Sequence, residues 1–427
     1  MQKKKKNKVN TGKKINYKYI AKLIIITIFV TLLLEFFYVI IKSTYDYMNK
    51  ELLEFNKEIV NTDQGYIIAG SSNFKYSKFN KKSGEKEKPR IAIYKNNKIV
   101  QEIKYKGGIN GLFNSVIVDG NYYVAVGHYE KDNHEHNNYE TEGLIVKYNK
   151  NKKIVFEDSY SDLSKSRFVK VLNTKDGYIV VGNSVYNNLE SGDAKAGALI
   201  IKYDKKGKIK WQKYNGSSHY GIYNDIIEVS DGYIVVGSID DFVGAIVKYD
   251  KNGNKKWQKE YNNVDQNGLN NIILVNNKLY LTGTLNKSNK AKNRTTTAVL
   301  IKADLSGKME KYIEYGDDAS ISEWNDMIIY NNKVYLVGQE AYINKKLTKD
   351  TTTYYNNKAI YAVYDLNLRL IDKEEVDKKD RTIYIYTSLI EKDKKLYITG
   401  YTNAKIKEMT YADGKNNVSF INSLPFK

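Results

Sequence analysis

The sequence of 427 residues contains no cysteine and only two prolines. Without cysteine, the chain cannot be a disulfide-stapled secreted module or a protein that holds zinc or an iron–sulfur cluster through thiolates. With so little proline it cannot be a collagen-like chain. Hydrophobic residues make up 41% of the chain and aromatic residues 13%, so material for a core is ample. These features favour a folded protein without thiol chemistry.

Acidic residues are missing from the first 22 positions, which hold nine lysines of a chain whose net charge is +20. A run of 19 residues follows at 23–41, and 15 of them are Leu, Ile, Phe or Val. A helix of this length spans about 28 Å, which matches the hydrocarbon core of a bilayer. Glu35 is the only charge in the run, and the apolar residues outweigh the cost of inserting one acid. We therefore predict a transmembrane segment at 23–41.

A cleaved signal peptide is the alternative, because it also joins a basic segment to an apolar run. The run here is long, however, and residues 42–47 lack the small residues of a cleavage site. The positive-inside rule places the basic tail, residues 1–22, in the cytoplasm. The sequence predicts a single-pass signal anchor in the cell membrane, with the N-terminus cytoplasmic and the C-terminal domain extracellular.

One short pattern recurs seven times after this segment, each time ending in glycine. The clearest copies lie at 64–70, 176–182 and 231–237, and the last two both read Asp-Gly-Tyr-Ile-Val-Val-Gly. The seven glycines are spaced 57, 55, 55, 46, 55 and 62 residues apart, which indicates one supersecondary unit with loops of variable length. They are Gly70, Gly127, Gly182, Gly237, Gly283, Gly338 and Gly400.

Each repeat contains four short runs rich in aromatic and β-branched residues, which predict four antiparallel strands. Turns such as 250–253 join the third strand to the fourth, with Asp beginning the turn and Gly supplying a positive φ. Seven four-stranded units, each too small to bury its own faces, are typical of a β-propeller. We predict an all-β, seven-bladed β-propeller at 55–427, preceded by the N-terminal transmembrane helix.

The seventh repeat is incomplete, because a third strand is available near 417–422 and the sequence offers no fourth. An unpaired strand edge would remain there. Residues 42–54 are predicted either to supply the missing strand and close the ring or to continue the membrane helix as a stalk.

The segments 204–211 and 250–257 resemble the D-x-x-G-x-x-x-W repeat of the quinoprotein alcohol dehydrogenase-like propellers. Taken with the glycine-ended strand, the unit is similar to that of bacterial cell-surface β-propeller repeat proteins. The enzyme branch implies pyrroloquinoline quinone and calcium, but this chain has no adjacent cysteine pair and repeats the Trp in only two fourth strands. The scaffold branch, which includes the propeller subunit of outer-membrane assembly machines, implies a fold that holds protein partners. We predict no cofactor, and we interpret the Trp residues as packing between blades.

Asn recurs in the first strand of the repeat, and Asp lies beside it in two units. Since first strands line the channel of a propeller, these side chains are predicted to ring it. There they could bind a cation or a polar ligand, or satisfy backbone groups and waters where the blades converge. The predicted channel-lining residues are Asn56, Asn114, Asn224, Asp225, Asn270, Asn325 and Asp326.

Three of the four histidines, His128, His134 and His136, lie close together with acidic neighbours. They predict a possible site for zinc or another divalent ion, and the alternative is a solvated polar loop. The turn at 250–254 lacks the length and the final Glu of a calcium loop, so turn chemistry explains it. The chain has no P-loop and no G-x-S-x-G motif, and we predict no catalytic residue.

Location and charge define the predicted partners. The charge of +11 outside the basic tail favours an envelope protein or an anionic cell-wall polymer, and nucleic acid is excluded by the extracellular location. The sequence predicts a membrane-anchored binding or scaffold module. The alternative is a propeller enzyme with a channel-bound cofactor or metal.

Overall fold

The structure is a computed structural model. It describes residues 54–426 except 64, 73–87, 132–139, 161–164, 188–193, 217–219, 241–242, 262–266, 289–293, 317–319, 344–354, 377–382 and 404–416. The described residues form strands and turns, which confirms the all-β prediction for this part of the chain. The predicted tail and transmembrane segment lie outside the described residues, as do residues 42–53. The described part contains no helix long and apolar enough to cross a bilayer.

The described strands fall into consecutive antiparallel groups, which we call units 1 to 7 and which follow the sequence repeats. Unit 1 comprises β1 (Glu54–Thr62), β2 (Gly65–Ser72), β3 (Lys88–Lys95) and β4 (Lys98–Lys104). Unit 2 comprises β5 (Ile109–Asp119), β6 (Tyr122–Lys131), β7 (Glu140–Asn149) and β8 (Ile154–Tyr160). Unit 3 comprises β9 (Lys165–Thr174), β10 (Gly177–Asn187), β11 (Ala194–Asp204) and β12 (Ile209–Asn215).

The remaining units repeat this order, and only the last has three described strands. Unit 4 comprises β13 (Ile222–Val229), β14 (Gly232–Ile239), β15 (Val243–Asp250) and β16 (Lys255–Glu260). Unit 5 comprises β17 (Asn267–Val275), β18 (Lys278–Ser288), β19 (Arg294–Asp304) and β20 (Met309–Tyr315). Unit 6 comprises β21 (Ser320–Tyr330), β22 (Lys333–Ile343), β23 (Tyr355–Asp365) and β24 (Leu370–Val376). Unit 7 comprises β25 (Tyr384–Lys392), β26 (Lys395–Asn403) and β27 (Asn417–Pro425).

Short parallel bridges link the third strand of some units to the first strand of the next. Thr141 of β7 pairs with Lys165 of β9, which joins units 2 and 3 into one sheet of eight strands. Thr296 of β19 pairs with Ile321 of β21 and joins units 5 and 6 in the same way. The recurrence of this bridge shows that these two pairs of units approach each other in a similar way.

The core lies between consecutive units, because the middle strands are buried on both faces. Every residue of β14 is buried, whereas β16 at the outer edge of the same unit is mostly exposed. Side chains from two units interdigitate, as where Ile179 and Val181 of unit 3 pack with Tyr223 and Val235 of unit 4. A continuous apolar strand such as Tyr-Ile-Val-Val is typical of this two-sided burial.

Turns between third and fourth strands have the predicted chemistry. The Asp250 carboxylate accepts hydrogen bonds from the backbone N–H groups of Asn252 at 2.9 Å and Asn254 at 2.8 Å, and Gly253 has a φ of +79°. The indole of Trp211, from unit 3, lies so close to Gly253 that an added Cβ would be 2.7 Å from its ring. The prediction that Trp packs between units is therefore confirmed at this position.

The last unit packs against the first. Tyr397 of unit 7 lies 5.5 Å from Tyr66 of unit 1, measured between ring centroids. The Lys392 ammonium donates a hydrogen bond of 2.8 Å to the carbonyl oxygen of Thr62. The predicted third strand of unit 7 is confirmed as β27, which pairs with β26. No fourth strand of unit 7 is found among the described residues, and the predicted closing segment 42–54 lies outside them except for Glu54, which belongs to β1.

Candidate functional site

The first strands of all seven units contribute side chains to one central cavity of about 190 Å³. Its lining is strongly polar, with amide, carboxylate, ammonium and hydroxyl groups. The lining residues are Lys57, Glu58, Asn114, Val169, Lys170, Asn224, Asn270, Asn271, Glu323, Asn325, Asp326, Thr387 and Ser388.

A β-bulge in each first strand points one side chain into this cavity. In unit 4, Tyr223 pairs with Gly237 and Asp225 pairs with Val236, so Asn224 is the extra residue that leaves the ladder. Only glycine fits opposite the bulge, because a Cβ on Gly237 would lie 2.0 Å from the carbonyl oxygen of Ile222. This contact explains why the sequence repeat ends in glycine. The bulged residues are Lys57, Asn114, Val169, Asn224, Asn270, Asn325 and Thr387.

Four bulged asparagines form what we call the amide belt: Asn114, Asn224, Asn270 and Asn325. Each donates a hydrogen bond from its side-chain nitrogen to a main-chain carbonyl of the following unit. Because a carbonyl can only accept, these contacts fix the orientation of each amide. The four amide oxygens have no hydrogen-bond partner among the described residues. The donor and acceptor pairs are Asn114 to Phe168 at 2.7 Å, Asn224 to Leu269 at 2.9 Å, Asn270 to Trp324 at 3.2 Å and Asn325 to Tyr386 at 2.7 Å.

The residue after each bulge forms a second ring, which we call the acceptor tier. In five units its side-chain oxygen accepts a hydrogen bond from a backbone N–H of the next unit, and unit 7 follows this rule toward unit 1. These contacts are Glu58 from Val116 at 2.8 Å, Ser115 from Val171 at 3.4 Å, Asp225 from Ile272 at 3.0 Å, Asp326 from Leu389 at 3.1 Å and Ser388 from Ile59 at 3.3 Å.

Lys170 and Asn271 are the two members of the acceptor tier that break the rule. Lys170 carries only donors, and the side-chain oxygen of Asn271 accepts from Thr282 instead. The following unit compensates in both cases. Asp225 accepts from the N–H of its own neighbour Ile226 at 2.8 Å, and Asp326 accepts from Met327 at 2.8 Å. Asp, whose carboxylate has two acceptor oxygens, therefore occupies the acceptor tier in the two units whose preceding unit provides no acceptor for a backbone N–H.

The ammonium of Lys170 is the central positive charge of the acceptor tier. It lies 2.5 Å from Glu58 and 4.0 Å from Asp225, measured to carboxylate oxygens. Burial opposes its charge, but Glu58, Asp225 and Asp326 outweigh burial and raise the pKa of Lys170 above its ordinary value. Burial also raises the pKa of Asp225, and it raises the pKa of Asp326 to about 6, although Lys170 acts in the opposite direction. One lysine thus compensates three carboxylates incompletely.

Lys57, the bulged residue of unit 1, has no hydrogen bond or ion pair with the described residues. Burial lowers the pKa of its ammonium, and the Glu323 carboxylate opposes that shift. His128 lies close by, with its Nδ1 atom 3.5 Å from the side-chain nitrogen of Asn114. Burial, then Arg167 and Lys57, lower the pKa of His128 to about 4, so the imidazole is neutral near pH 7.

The structure places the predicted channel residues as follows. Asn114, Asn224, Asn270, Asn325 and Asp326 line the cavity. Asp225 lies behind the lining, in the acceptor tier.

Asn56 is placed differently. It pairs with Gly70, is 1% exposed and donates to the Thr399 hydroxyl at 2.7 Å, and Lys57 takes the lining position. The bulge of unit 1 falls one residue later than its sequence suggests.

The predicted histidine cluster is only partly described. His128 lies next to Asn114, while His134 and His136 fall outside the described residues. No group of three potential metal ligands occurs in the part of the chain that the structure describes.

The sequence reasoning missed Lys57, Glu58, Lys170 and Glu323. In units 1 and 3, the residue that pairs with the strand glycine is followed by the bulged residue and then by the acceptor-tier residue. Applying this order to the sequence would have identified Lys57, Glu58 and Lys170.

No protein-family model and no curated protein sequence matches this chain. Solved structures similar to it are propeller-like all-β folds. The lignostilbene dioxygenase of Pseudomonas brassicacearum has a TM-score of 0.46 and 9% identity, covering 88% of this chain and 90% of the other. The cobalt-substituted apocarotenoid oxygenase of Synechocystis has a TM-score of 0.42 and 10% identity, covering 75% and 71%. The endo-arabinanase of Bacillus licheniformis has a TM-score of 0.30 and 13% identity, covering 62% and 98%. These neighbours are enzymes, but likeness at this level assigns no activity to this chain, and the resemblance to quinoprotein-like and cell-surface repeats stays a prediction.

Replacing Asp326 by Asn should change how stability depends on pH. Because the pKa of Asp326 is raised to about 6 from an ordinary 3.8, the folded chain binds this proton more tightly than the unfolded chain. Its contribution to the free energy of unfolding therefore falls as the pH rises from about 4 to about 6. Urea unfolding of both full-length proteins across this range should show the wild type losing stability relative to Asp326→Asn.

Asp231→Asn is the matched control. The hydrogen bond from Lys248 lowers the pKa of Asp231 below its ordinary 3.8, so this exposed carboxyl should contribute little slope between pH 4 and 6 and its variant should follow the wild type. Equal slopes for the two variants would contradict the burial of a charged Asp326.

Proposed function

We propose that the chain is a membrane-anchored, seven-bladed β-propeller that binds a small polar molecule in its central cavity. The observation that carries this proposal is the cavity wall, which combines the unpaired ammonium of Lys57 with the four open oxygens of the amide belt. The four amide side chains are only half-buried, so their oxygens are open to the space of the cavity. Groups left open toward one space favour a ligand that completes them.

Three features support the ring of seven blades. Six described units have four antiparallel strands and the seventh has three. The amide belt and the acceptor tier connect units in chain order, and Ser388 connects unit 7 back to unit 1. The first strands of all units surround one cavity, as the inner strands of propeller blades do.

The size and chemistry of the cavity limit the ligand. A volume of about 190 Å³ is smaller than the pockets of about 300–1,000 Å³ that hold drug-sized molecules. The acceptor tier is already engaged, so the ligand would meet mainly Lys57, the amide belt and Glu323. A small, charged or hydroxyl-rich molecule fits this wall better than an apolar one.

This proposal modifies the prediction of a binding or scaffold module that acts through its loop surfaces. Like the alternative prediction of an enzyme, it places the ligand in the central channel. Lys57 favours a catalytic role as the second candidate, since a lysine whose pKa is lowered can act as a base or a nucleophile. Chemical turnover of the bound compound, followed by mass spectrometry, would distinguish catalysis from binding. An envelope protein or an anionic wall polymer as a partner of the outer surfaces stays a prediction.

A cavity-filling variant tests ligand binding. We expect that a screen of small polar metabolites against the full-length protein in detergent raises the Tm for at least one compound. Val169→Phe should abolish that increase, because Val169 lines the cavity and a larger side chain would fill it. Val155→Phe, at a half-exposed site on the outer strand β8, is the matched control and should leave the increase intact. A Tm increase that survives Val169→Phe would contradict binding in the cavity.

The anchor is tested by fractionation of cells that express the full-length chain. We expect the protein in the membrane fraction, resistant to extraction by high salt and by alkaline carbonate, since a run of 19 residues with a single charge inserts stably. A C-terminal tag should be accessible to protease added to whole cells. Extraction by salt alone would indicate a surface association through the basic tail instead.

A further inference from the structure

The antiparallel order of the strands gives each unit two different ends. At one end, which we call the turn end, first strands turn into second strands and third strands turn into fourth strands. At the other, which we call the connection end, lie the loops from second to third strands and the connections from one unit to the next. Except for residue 64, the turn end consists of described residues.

Basic residues outnumber acidic residues two to one at the turn end. Counted together with the two strand residues that flank each turn, its 13 turns hold 18 Lys and Arg residues and nine Asp residues. The same count over the loops of the connection end gives 22 basic and 19 acidic residues. The excess of positive charge therefore belongs mainly to the turn end.

This excess is concentrated in the turns between third and fourth strands of units 1 to 4. These four turns hold ten lysines and two Asp residues, whereas the corresponding turns of units 5 and 6 each hold one basic residue and one Asp. Nine of the ten lysines are exposed, so they form a basic arc along one side of the turn end. The nine are Lys95, Lys98, Lys150, Lys152, Lys153, Lys206, Lys208, Lys251 and Lys255.

Exposed apolar side chains lie at the same end. Of the eleven large hydrophobic side chains that are exposed among the described residues, eight lie in a turn of the turn end or within the first three residues of the strand that follows it. Because they cluster beside basic residues, they differ from the scattered apolar residues of an ordinary surface. The eight are Ile99, Val100, Tyr122, Ile154, Val155, Leu305, Leu370 and Ile371.

Lysines combined with exposed apolar side chains are typical of surfaces that lie on anionic membranes. The lysines attract the phosphate headgroups, and the apolar side chains enter the boundary between headgroups and acyl chains. An anionic polymer in solution would attract the lysines equally well, but it would give the apolar side chains no apolar surroundings. The turn end therefore favours a bilayer as its partner.

The length of the chain before β1 permits this contact. Twelve residues, 42–53, separate the predicted anchor at 23–41 from β1, and fully extended they would span about 40 Å. The longest first strands, β5 and β21, have 11 residues and rise about 36 Å. A chain that leaves the membrane beside the turn end can therefore reach the start of β1 at the connection end.

We propose that the turn end lies on the anionic surface of the membrane that holds the anchor, with the lysines of units 1 to 4 at the lipid headgroups. The connection end then faces away from the membrane, and a ligand of the central cavity enters from that side. This inference rests on the anchor of the proposed function. It does not depend on which ligand the cavity binds.

Fluorescence quenching of the full-length protein in nanodiscs tests this contact. The chain has no cysteine, so a single introduced cysteine carries the only label. Val100→Cys places the label at the turn end, and Ile321→Cys, near the connection end of β21, is the matched control because both side chains are exposed. In phosphatidylglycerol with brominated acyl chains we expect strong quenching for Val100→Cys and none for Ile321→Cys. In brominated phosphatidylcholine, quenching for Val100→Cys should fall several-fold.

Charge reversal tests the role of the lysines. One lysine beside an anionic surface strengthens binding about fivefold, so reversing three should abolish quenching at the turn end. The test variant of Val100→Cys combines Lys153→Glu, Lys206→Glu and Lys208→Glu, all at exposed turn positions. Its matched control reverses three exposed lysines away from the turn end and should quench as before: Lys106→Glu, Lys165→Glu and Lys213→Glu.

The apolar side chains distinguish a bilayer from an anionic polymer. Ile154→Ser combined with Val155→Ser should weaken quenching at the turn end, because both exposed side chains would leave the acyl boundary. Unchanged quenching in this variant, or in the variant with three reversed lysines, would overturn the proposal. Retention of the protein in the nanodisc without quenching for Val100→Cys would overturn it and leave the anchor intact. Release of the protein by high salt would contradict the anchor and this orientation together.

Discussion

The fold depends on how backbone groups are satisfied at the seven β-bulges around the central cavity. A first strand lies at the inner edge of its sheet, so the N–H and C=O groups beside its bulge have no neighbouring strand to pair with. Side chains of the preceding unit take that place. The Asn224 side chain donates a hydrogen bond to the carbonyl of Leu269, and the Asp225 carboxylate accepts one from the N–H of Ile272. These contacts set the spacing between units and thereby the shape of the cavity.

The same constraint determines which groups remain for a ligand. An Asn that gives its nitrogen to the next unit must present its oxygen elsewhere, and the amide belt presents four such oxygens without partners among the described residues. Three acids that accept from backbone N–H groups bring negative charge to the centre, and Lys170 offsets it from within the wall. Lys57, which replaces an amide in unit 1, has no hydrogen bond or ion pair with the residues that the structure describes. The structural network thus leaves a space that is lined by two lysines, by acids and by open amide oxygens.

Much of the fold was predictable because its signals are local. Gly237 lies within β14 at a point where no Cβ fits, and Asp250 with Gly253 forms a turn from its own residues, so both appear as repeats in the sequence. The recurrent asparagine likewise identified most of the lining. Register in unit 1 was not predictable, because Phe55-Asn56 has the usual pattern while the bulge falls at Lys57. Lys170 of unit 3 meets Glu58 of unit 1 and Asp225 of unit 4, and no local pattern encodes this meeting of three units.

The most direct measurement compares two Asn→Asp substitutions on the same cavity wall by urea unfolding of the full-length protein. Asn224 donates to the Leu269 carbonyl, whereas the contact of Asn271 is as an acceptor from Thr282, which a carboxylate can keep. Both substitutions add one negative charge to the cavity wall. We predict that Asn224→Asp lowers the free energy of unfolding by about 1–3 kcal/mol, because it removes a half-buried donor that bonds the next unit, and that Asn271→Asp lowers it much less. Equal losses would contradict this account, because the added charge, rather than the lost contact between units, would then explain the change in the free energy of unfolding.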